Sequence, residues 1–199
     1  MSKVAVFFAA LVPAIMLGVS AWRADLGPNP VETLTHVTGE WGLRFLIATL
    51  ALSPLRKLFG WTSVLKFRRM LGLFAFFYTT MHLSTYLVLD QFFAWEDIVA
   101  DIIKRPYITI GFAAFLCMLP LALTSTRFAM IKLGKRWRQL HRLSYVAGIL
   151  GVAHFLWLVR ADSREPLIYA AILLVLLLMR IPRKRSARPS RTTQQPTTT

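Results

Sequence analysis

Apolar residues fall in six long runs, at approximately 4–22, 39–55, 70–90, 107–125, 141–160 and 166–181. Each is near the roughly 20 residues that a helix needs to cross a hydrocarbon core about 30 Å thick. The pattern predicts an all-α membrane protein, a bundle of six transmembrane helices over residues 1–181. The runs use most of the 199 residues, which leaves no room for a soluble catalytic domain. The first run, preceded by Lys3, has the outline of a signal peptide. Its length, Pro13 at its middle and the lack of a small-residue cleavage site before Asp25 favour an uncleaved span instead.

Composition agrees with the pattern. Hydrophobic residues are 56% of the chain and the mean hydropathy is +0.53, against ~45–50% apolar residues in soluble domains. The net charge of +15 suggests nucleic acid only until its distribution is read. Arg56, Lys57, Lys66, Arg68 and Arg69 share one connection, and Arg127, Lys132, Lys135, Arg136 and Arg138 share another. Arg183, Lys184, Arg185, Arg188 and Arg191 follow the last run. No acid lies in these segments. Asp25, Glu32, Glu40, Asp90, Glu96, Asp97, Asp101, Asp162 and Glu165 all fall at the opposite ends of the runs. The positive-inside rule then places both termini and the basic loops in the cytoplasm. Anionic lipid headgroups suit those basic faces, and no nucleic-acid partner is expected. Residues 182–199 are rich in Pro, Thr, Gln and Arg and read as a disordered basic cytoplasmic tail. Between 91 and 106, Phe92, Phe93, Trp95, Ile98, Ile102 and Ile103 have the spacing of a short interfacial amphipathic helix.

Ionisable rings inside apolar helices need a reason, because the bilayer penalises them. His82 lies in the third run, and His141 and His154 lie in the fifth. Neutral imidazoles inside a helix bundle suit axial ligation of haem iron. Counted from the cytoplasmic face at about 1.5 Å per residue, His82 and His154 reach the same depth, in the outer half. They are candidates for the two faces of one b-type haem. His141 stands at the inner boundary, where it marks a second site. Thirteen residues at about 100° each do not return His154 to the face of His141. Either the helix is locally distorted or the two rings approach from different azimuths. A partner for His141 in the third run belongs 13–14 residues before His82, where Arg69 and Arg68 stand. His36 is on the outer side and reads as a solvated loop residue.

Other residues carry less. Arg44, early in the second run, either snorkels outward or pairs with a haem propionate. Arg68 and Arg69, with Trp137, Arg138 and Arg142 nearby, form a cluster matched to propionates or a flavin phosphate, or simply an inside anchor. Trp22, Trp41, Trp95 and Trp157 fit an aromatic belt. Cys117 reads as a small buried apolar group. No glycine-rich nucleotide fingerprint and no cysteine cluster is present, so hydride entry from a nicotinamide belongs on another protein.

The run Trp137-Arg138-Gln139-Leu140-His141-Arg142-Leu143-Ser144-Tyr145, with His154 after it and His82 in the third run, resembles the ferric-reductase-like transmembrane family. The resemblance covers nearly the whole chain except the basic tail. It implies that His82, His141 and His154 ligate haem iron, with one or two haems b, and that FMN is associated with the cytoplasmic loop of Arg68 and Arg69. It implies a bacterial inner-membrane electron conduit rather than a catalytic subunit. Electrons would enter from the quinol pool or a cytosolic flavin reductase. They would leave to a periplasmic molybdopterin-containing enzyme that reduces methionine sulfoxide in oxidised envelope proteins. The family's fourth histidine is missing, so the inner ligand set does not carry over. Two other functions compete: direct reduction of ferric or other metal ions, and a haem-free role in transport or assembly with the histidines as helix contacts.

Overall fold

A computed structural model describes residues 2–159 and 163–180. Asp162 and the basic tail at 182–199 lie outside the described residues. The described chain is helical, without strands. Helix α1 spans Lys3–Trp22 and α2 spans Pro30–Phe59. A 3-10 stretch at Thr62–Phe67 leads into α3, Arg68–Ser84, which continues as a π-helical turn at Thr85–Asp90. Then come α4 (Trp95–Lys104), α5 (Pro106–Leu123), α6 (Arg127–Leu133), α7 (Lys135–Leu140), α8 (Leu143–Leu158) and α9 (Arg164–Leu178). Among the described residues, three segments are long and apolar enough to cross a membrane: Lys3–Trp22, Thr62–Asp90 and Pro106–Leu123.

Local chemistry sets the ends. Asn29 caps α2 by accepting from the Glu32 N–H, and Pro30 occupies the first turn, where a missing N–H costs nothing. Gly60, with φ 69°, closes the same helix in the left-handed conformation that glycine adopts freely. The cap starts α2 about two turns before the apolar run. His36 therefore stands on a helix, half-exposed and 4.0 Å from Glu32, and not in a loop. The fifth apolar run is also corrected. It is interrupted at His141 and Arg142, between α7 and α8. The distorted helix, of the two alternatives, is the one observed.

The core is two antiparallel hairpins, α2 with α3 and α5 with α8. Thr35 near the start of α2 meets Thr85 just past α3, while Gly72 near the start of α3 meets Thr49 late in α2. Lipid tails are as apolar as leucine, so such helices are held by close packing of small residues and by interhelical hydrogen bonds. Ala75 and Ala147 are fully buried where the hairpins meet, beside Leu46 and Met118. A Cβ on Gly42 would stand 2.8 Å from the Thr79 hydroxyl, so α2 and α3 touch nearly backbone to backbone. Helix α9 packs on α8 and α2 through Leu173 and Leu176. Helix α1 lies outside α2 and α3 and leaves Phe8, Ile15 and Met16 exposed, as a lipid-facing helix does. Tyr78 clasps it: the buried hydroxyl donates to the Ala10 carbonyl (2.8 Å) and accepts from the Ala14 N–H (3.0 Å). Helix α4 is amphipathic, with Ile98 buried and Trp95, Val99 and Ile103 exposed.

Candidate functional site

The hairpins bring His82 of α3 and His154 of α8 together. Their ring centres are 6.1 Å apart and the ring planes are inclined at 76°. Each ring is anchored the same way. His82 Nδ1 lies 2.8 Å from the Thr35 carbonyl on α2. His154 Nδ1 lies 2.7 Å from the Tyr107 carbonyl on α5. A carbonyl oxygen only accepts, so Nδ1 must carry the proton in both rings and donate it. Each Nε2 is then left with a lone pair, the tautomer a metal ligand requires. Both pairs are separated by the same 47 residues of sequence. The interval between the two anchors also separates His82 from His154, Gly39 from Gly111 and Ala75 from Ala147, so the hairpins form an internal two-fold repeat.

The rings line a cavity of about 290 Å³ whose walls are apolar, among them Leu43, Phe112, Phe115 and Phe155. Polar groups gather toward the acidic end: His36, Glu40, Tyr86, Asp90 and Arg105. Arg105 pairs with Asp101 at 3.1 Å. A hydrogen bond to Tyr107, with the nearby Asp101 charge, raises its pKa above the ordinary arginine value.

This donor set fits haem. Two neutral imidazoles with their ring centres 6.1 Å apart would together hold one haem iron, which would supply one-electron redox chemistry. Among the described residues no group of three or more His, Cys, Asp or Glu side chains stands ready to hold a bare ion. Two facing imidazoles are an incomplete set for such an ion but a complete axial pair for iron already held in a porphyrin.

A second cavity, of about 250 Å³, opens at the basic end and is lined by Arg68, Arg69, Trp137 and His141. Here the helix break sets the geometry. His141 follows the last turn of α7, its Nδ1 3.0 Å from the Trp137 carbonyl. Its ring stacks on the Trp137 indole at 3.8 Å. The indole N–H in turn donates to the Thr124 carbonyl at 3.0 Å, which fixes the stack to the end of α5. Opposite His141 stand arginines, as the spacing predicts, and no second imidazole lines this cavity. Leu46 and Met118 line both cavities, so one layer of apolar side chains separates them.

Arg44 lines neither cavity. It stacks on Trp41, donates through Nε to the Tyr169 hydroxyl at 2.8 Å, and pairs with Glu40 at 2.8 Å. Sequence reasoning missed Gly39, Gly111 and Arg105, and the Thr35 and Tyr107 carbonyls. Backbone acceptors leave no signal in residue type. The two glycines were legible only through the repeat interval that links His82 to His154.

A helical membrane bundle with two histidines brought together between its hairpins is the class of architecture found here, and the comparisons with known proteins place the chain among membrane proteins of this kind. Residues 38–152 match the family described as ferric reductase like transmembrane component. A protein of Rhodospirillum rubrum named protein-methionine-sulfoxide reductase heme-binding subunit MsrQ is 53% identical over 193 residues, 94% of this chain and 93% of its own. A protein of the same name from Xanthomonas euvesicatoria pv. vesicatoria is 51% identical, over 94% of this chain and 88% of its own. Another, from Azospira oryzae, is 53% identical over 181 residues, 90% of this chain and 78% of its own. The chain belongs to the ferric-reductase-like transmembrane family, in the branch formed by these MsrQ subunits. No solved structure matches it.

Proposed function

We propose that this chain is the haem-binding, electron-transferring membrane subunit of a methionine sulfoxide reductase system. The observation that carries the reading is the His82–His154 pair: two rings 6.1 Å apart, each fixed by a backbone carbonyl as the Nε2-ligating tautomer. The relatives, by name, bind haem in such a system. On this reading one haem b lies between His82 and His154 and a second lies against His141, with Arg68 or Arg69 toward its propionates or toward FMN. Bound haem supplies one-electron ferric–ferrous chemistry. The protein holds the imidazoles neutral and oriented, keeps water from the apolar walls, and limits the gap between the sites to the Leu46–Met118 layer.

Six spans follow from α1, α2, α3 with its π turn, α5, α8 and α9, with both termini in the cytoplasm of a bacterial inner membrane. The basic connections sit at one end and the described acids at the other, as the positive-inside rule requires. Electrons enter at the basic end from quinol or a cytosolic flavin reductase. They leave at the acidic end to a periplasmic molybdopterin subunit, MsrP, which carries out the repair of oxidised proteins. Protein purified in detergent from haem-replete cells should show the reduced α-band of a b-type cytochrome. His82→Ala and His154→Ala should each remove the contribution of the acidic-end site. A colourless wild-type preparation ends this reading. Direct metal reduction, which the family's description brings to mind, is separated from it by comparing ferric-chelate reduction with and without the molybdopterin subunit.

A further inference from the structure

Two glycines face the two imidazoles, and nothing in the site's ligand chemistry calls for them. A Cβ on Gly39 would stand 2.9 Å from His82 Nδ1 and 3.1 Å from its Cε1. A Cβ on Gly111 would stand 2.8 Å from His154 Nδ1 and 2.9 Å from its Cε1. Contacts that short are not tolerated, and neither ring is a flexible chain end that can step aside. Moving either ring breaks its bond to Thr35 or Tyr107. The arrangement is the same in both hairpins. The glycine lies one helical turn after the carbonyl that accepts the Nδ1 proton, Thr35 before Gly39 and Tyr107 before Gly111. The Nδ1 side of the ring lies against the missing side chain and reaches that carbonyl. Glycine is a poorer helix former than alanine, so helix stability does not account for either residue. Helix packing does not account for them either, since the nearest atoms to each added Cβ belong to the imidazole and not to backbone. Gly42, by contrast, faces Thr79, including its backbone nitrogen.

We propose that Gly39 and Gly111 are positioning residues for the two axial imidazoles. Each glycine is a seat that lets its ring approach the neighbouring helix, deliver Nδ1–H to the carbonyl one turn earlier, and aim Nε2 at the shared axis. Together they hold the ring planes crossed at 76°. Outer-shell groups of this kind are worth about 10–100-fold in metal affinity. The seats rest on the haem reading of His82 and His154, and the experiment separates the two ideas.

The full chain is purified from haem-replete cells as wild type, Gly39→Ala and Gly111→Ala, and as the double variant His82→Gly/Gly39→Ala supplied with imidazole. Haem retention, the low-spin ferric EPR signal and the midpoint potential of the acidic-end site are measured. The EPR anisotropy responds to the angle between axial ligand planes and not to overall fold. Each alanine variant is expected to retain haem at that site about 10–100-fold more weakly, with a shifted low-spin signal and potential in the fraction that remains. In the double variant the ring is free of its chain and can move by the few tenths of an ångström that the methyl demands, so imidazole should restore a low-spin signal. Alanine variants that keep the wild-type affinity, EPR signal and potential would overturn the seats and leave the haem reading intact. A double variant that fails to assemble would also overturn them, because the glycine would then serve helix packing. A wild-type protein that takes up no haem would instead remove the reading beneath them.

Discussion

The imidazoles of His82 and His154 each use Nδ1 for a backbone carbonyl, which leaves Nε2 with its lone pair. At His141 the same division is made with its own helix, through the Trp137 carbonyl, and the ring leans on the indole of that tryptophan. The two kinds of site should therefore respond separately. With two haems bound, His141→Ala should lower the haem-to-protein ratio by about half and leave the EPR signal of the His82–His154 site in place. His154→Ala should remove that signal and leave the other. Low-temperature EPR with a pyridine haemochromogen assay on each variant checks this. A loss of both haems on replacing His141 would mean that the sites do not assemble independently. Arg44 shows why a residue's type is a poor guide by itself. Its guanidinium is consumed by Glu40, Tyr169 and Trp41, and the arginine that reaches the acidic-end cavity is Arg105.

At the scale of elements, the helix interruptions are where position is decided. The break between α7 and α8 turns His141 toward the arginines of α3, and the π turn at Thr85–Asp90 follows directly on the segment that carries His82. Such turns are frequent at functional sites because they re-aim side chains within a continuous helix. Helix α1 is held differently, by the Tyr78 hydroxyl standing between the Ala10 carbonyl and the Ala14 N–H. Those two groups are ordinary partners within a helix, so in Tyr78→Phe the ladder closes on itself and neither is left unpaired. The expected cost is about 1 kcal/mol, read as earlier unfolding in a denaturing-detergent titration and as faster proteolysis of α1. A loss several times larger would show that α1 takes part in the core. The run of six apolar segments made α1, α3 and α5 legible in the sequence. It did not show where α2 begins or that the fifth segment is broken. Asn29 and Pro30 start α2 among polar residues, and beside the break Trp137 is tied by its indole N–H to Thr124 at the end of another helix.

For the whole molecule, charge and cavities describe one axis. Leu46 and Met118 line both the basic-end cavity with Arg68, Arg69 and His141 and the acidic-end cavity with His82 and His154. The proposed topology makes a firm demand. A fluorescent-protein fusion after residue 180 should fluoresce in the cytoplasm. A cysteine introduced at exposed Trp95 should be labelled by a membrane-impermeant maleimide from the periplasmic side, after Cys117 is replaced by Ala. Labelling only after lysis would reverse the assigned orientation.

Residue type alone was enough to read an apolar helical bundle, basic and acidic residues grouped in alternate connections, and His82 and His154 as candidates for one site. Those properties follow from hydropathy, from the sign of side chains and from the fixed rise of a helix, all local quantities that residue type reports. Only the tertiary structure showed which nitrogen of each ring is taken by a backbone carbonyl, and that His36 belongs to α2. It also decided that Arg44 is occupied elsewhere and that Gly39 and Gly111 lie beneath the rings. These depend on backbone carbonyls and on the space between helices from distant parts of the chain, and neither has a letter in the sequence.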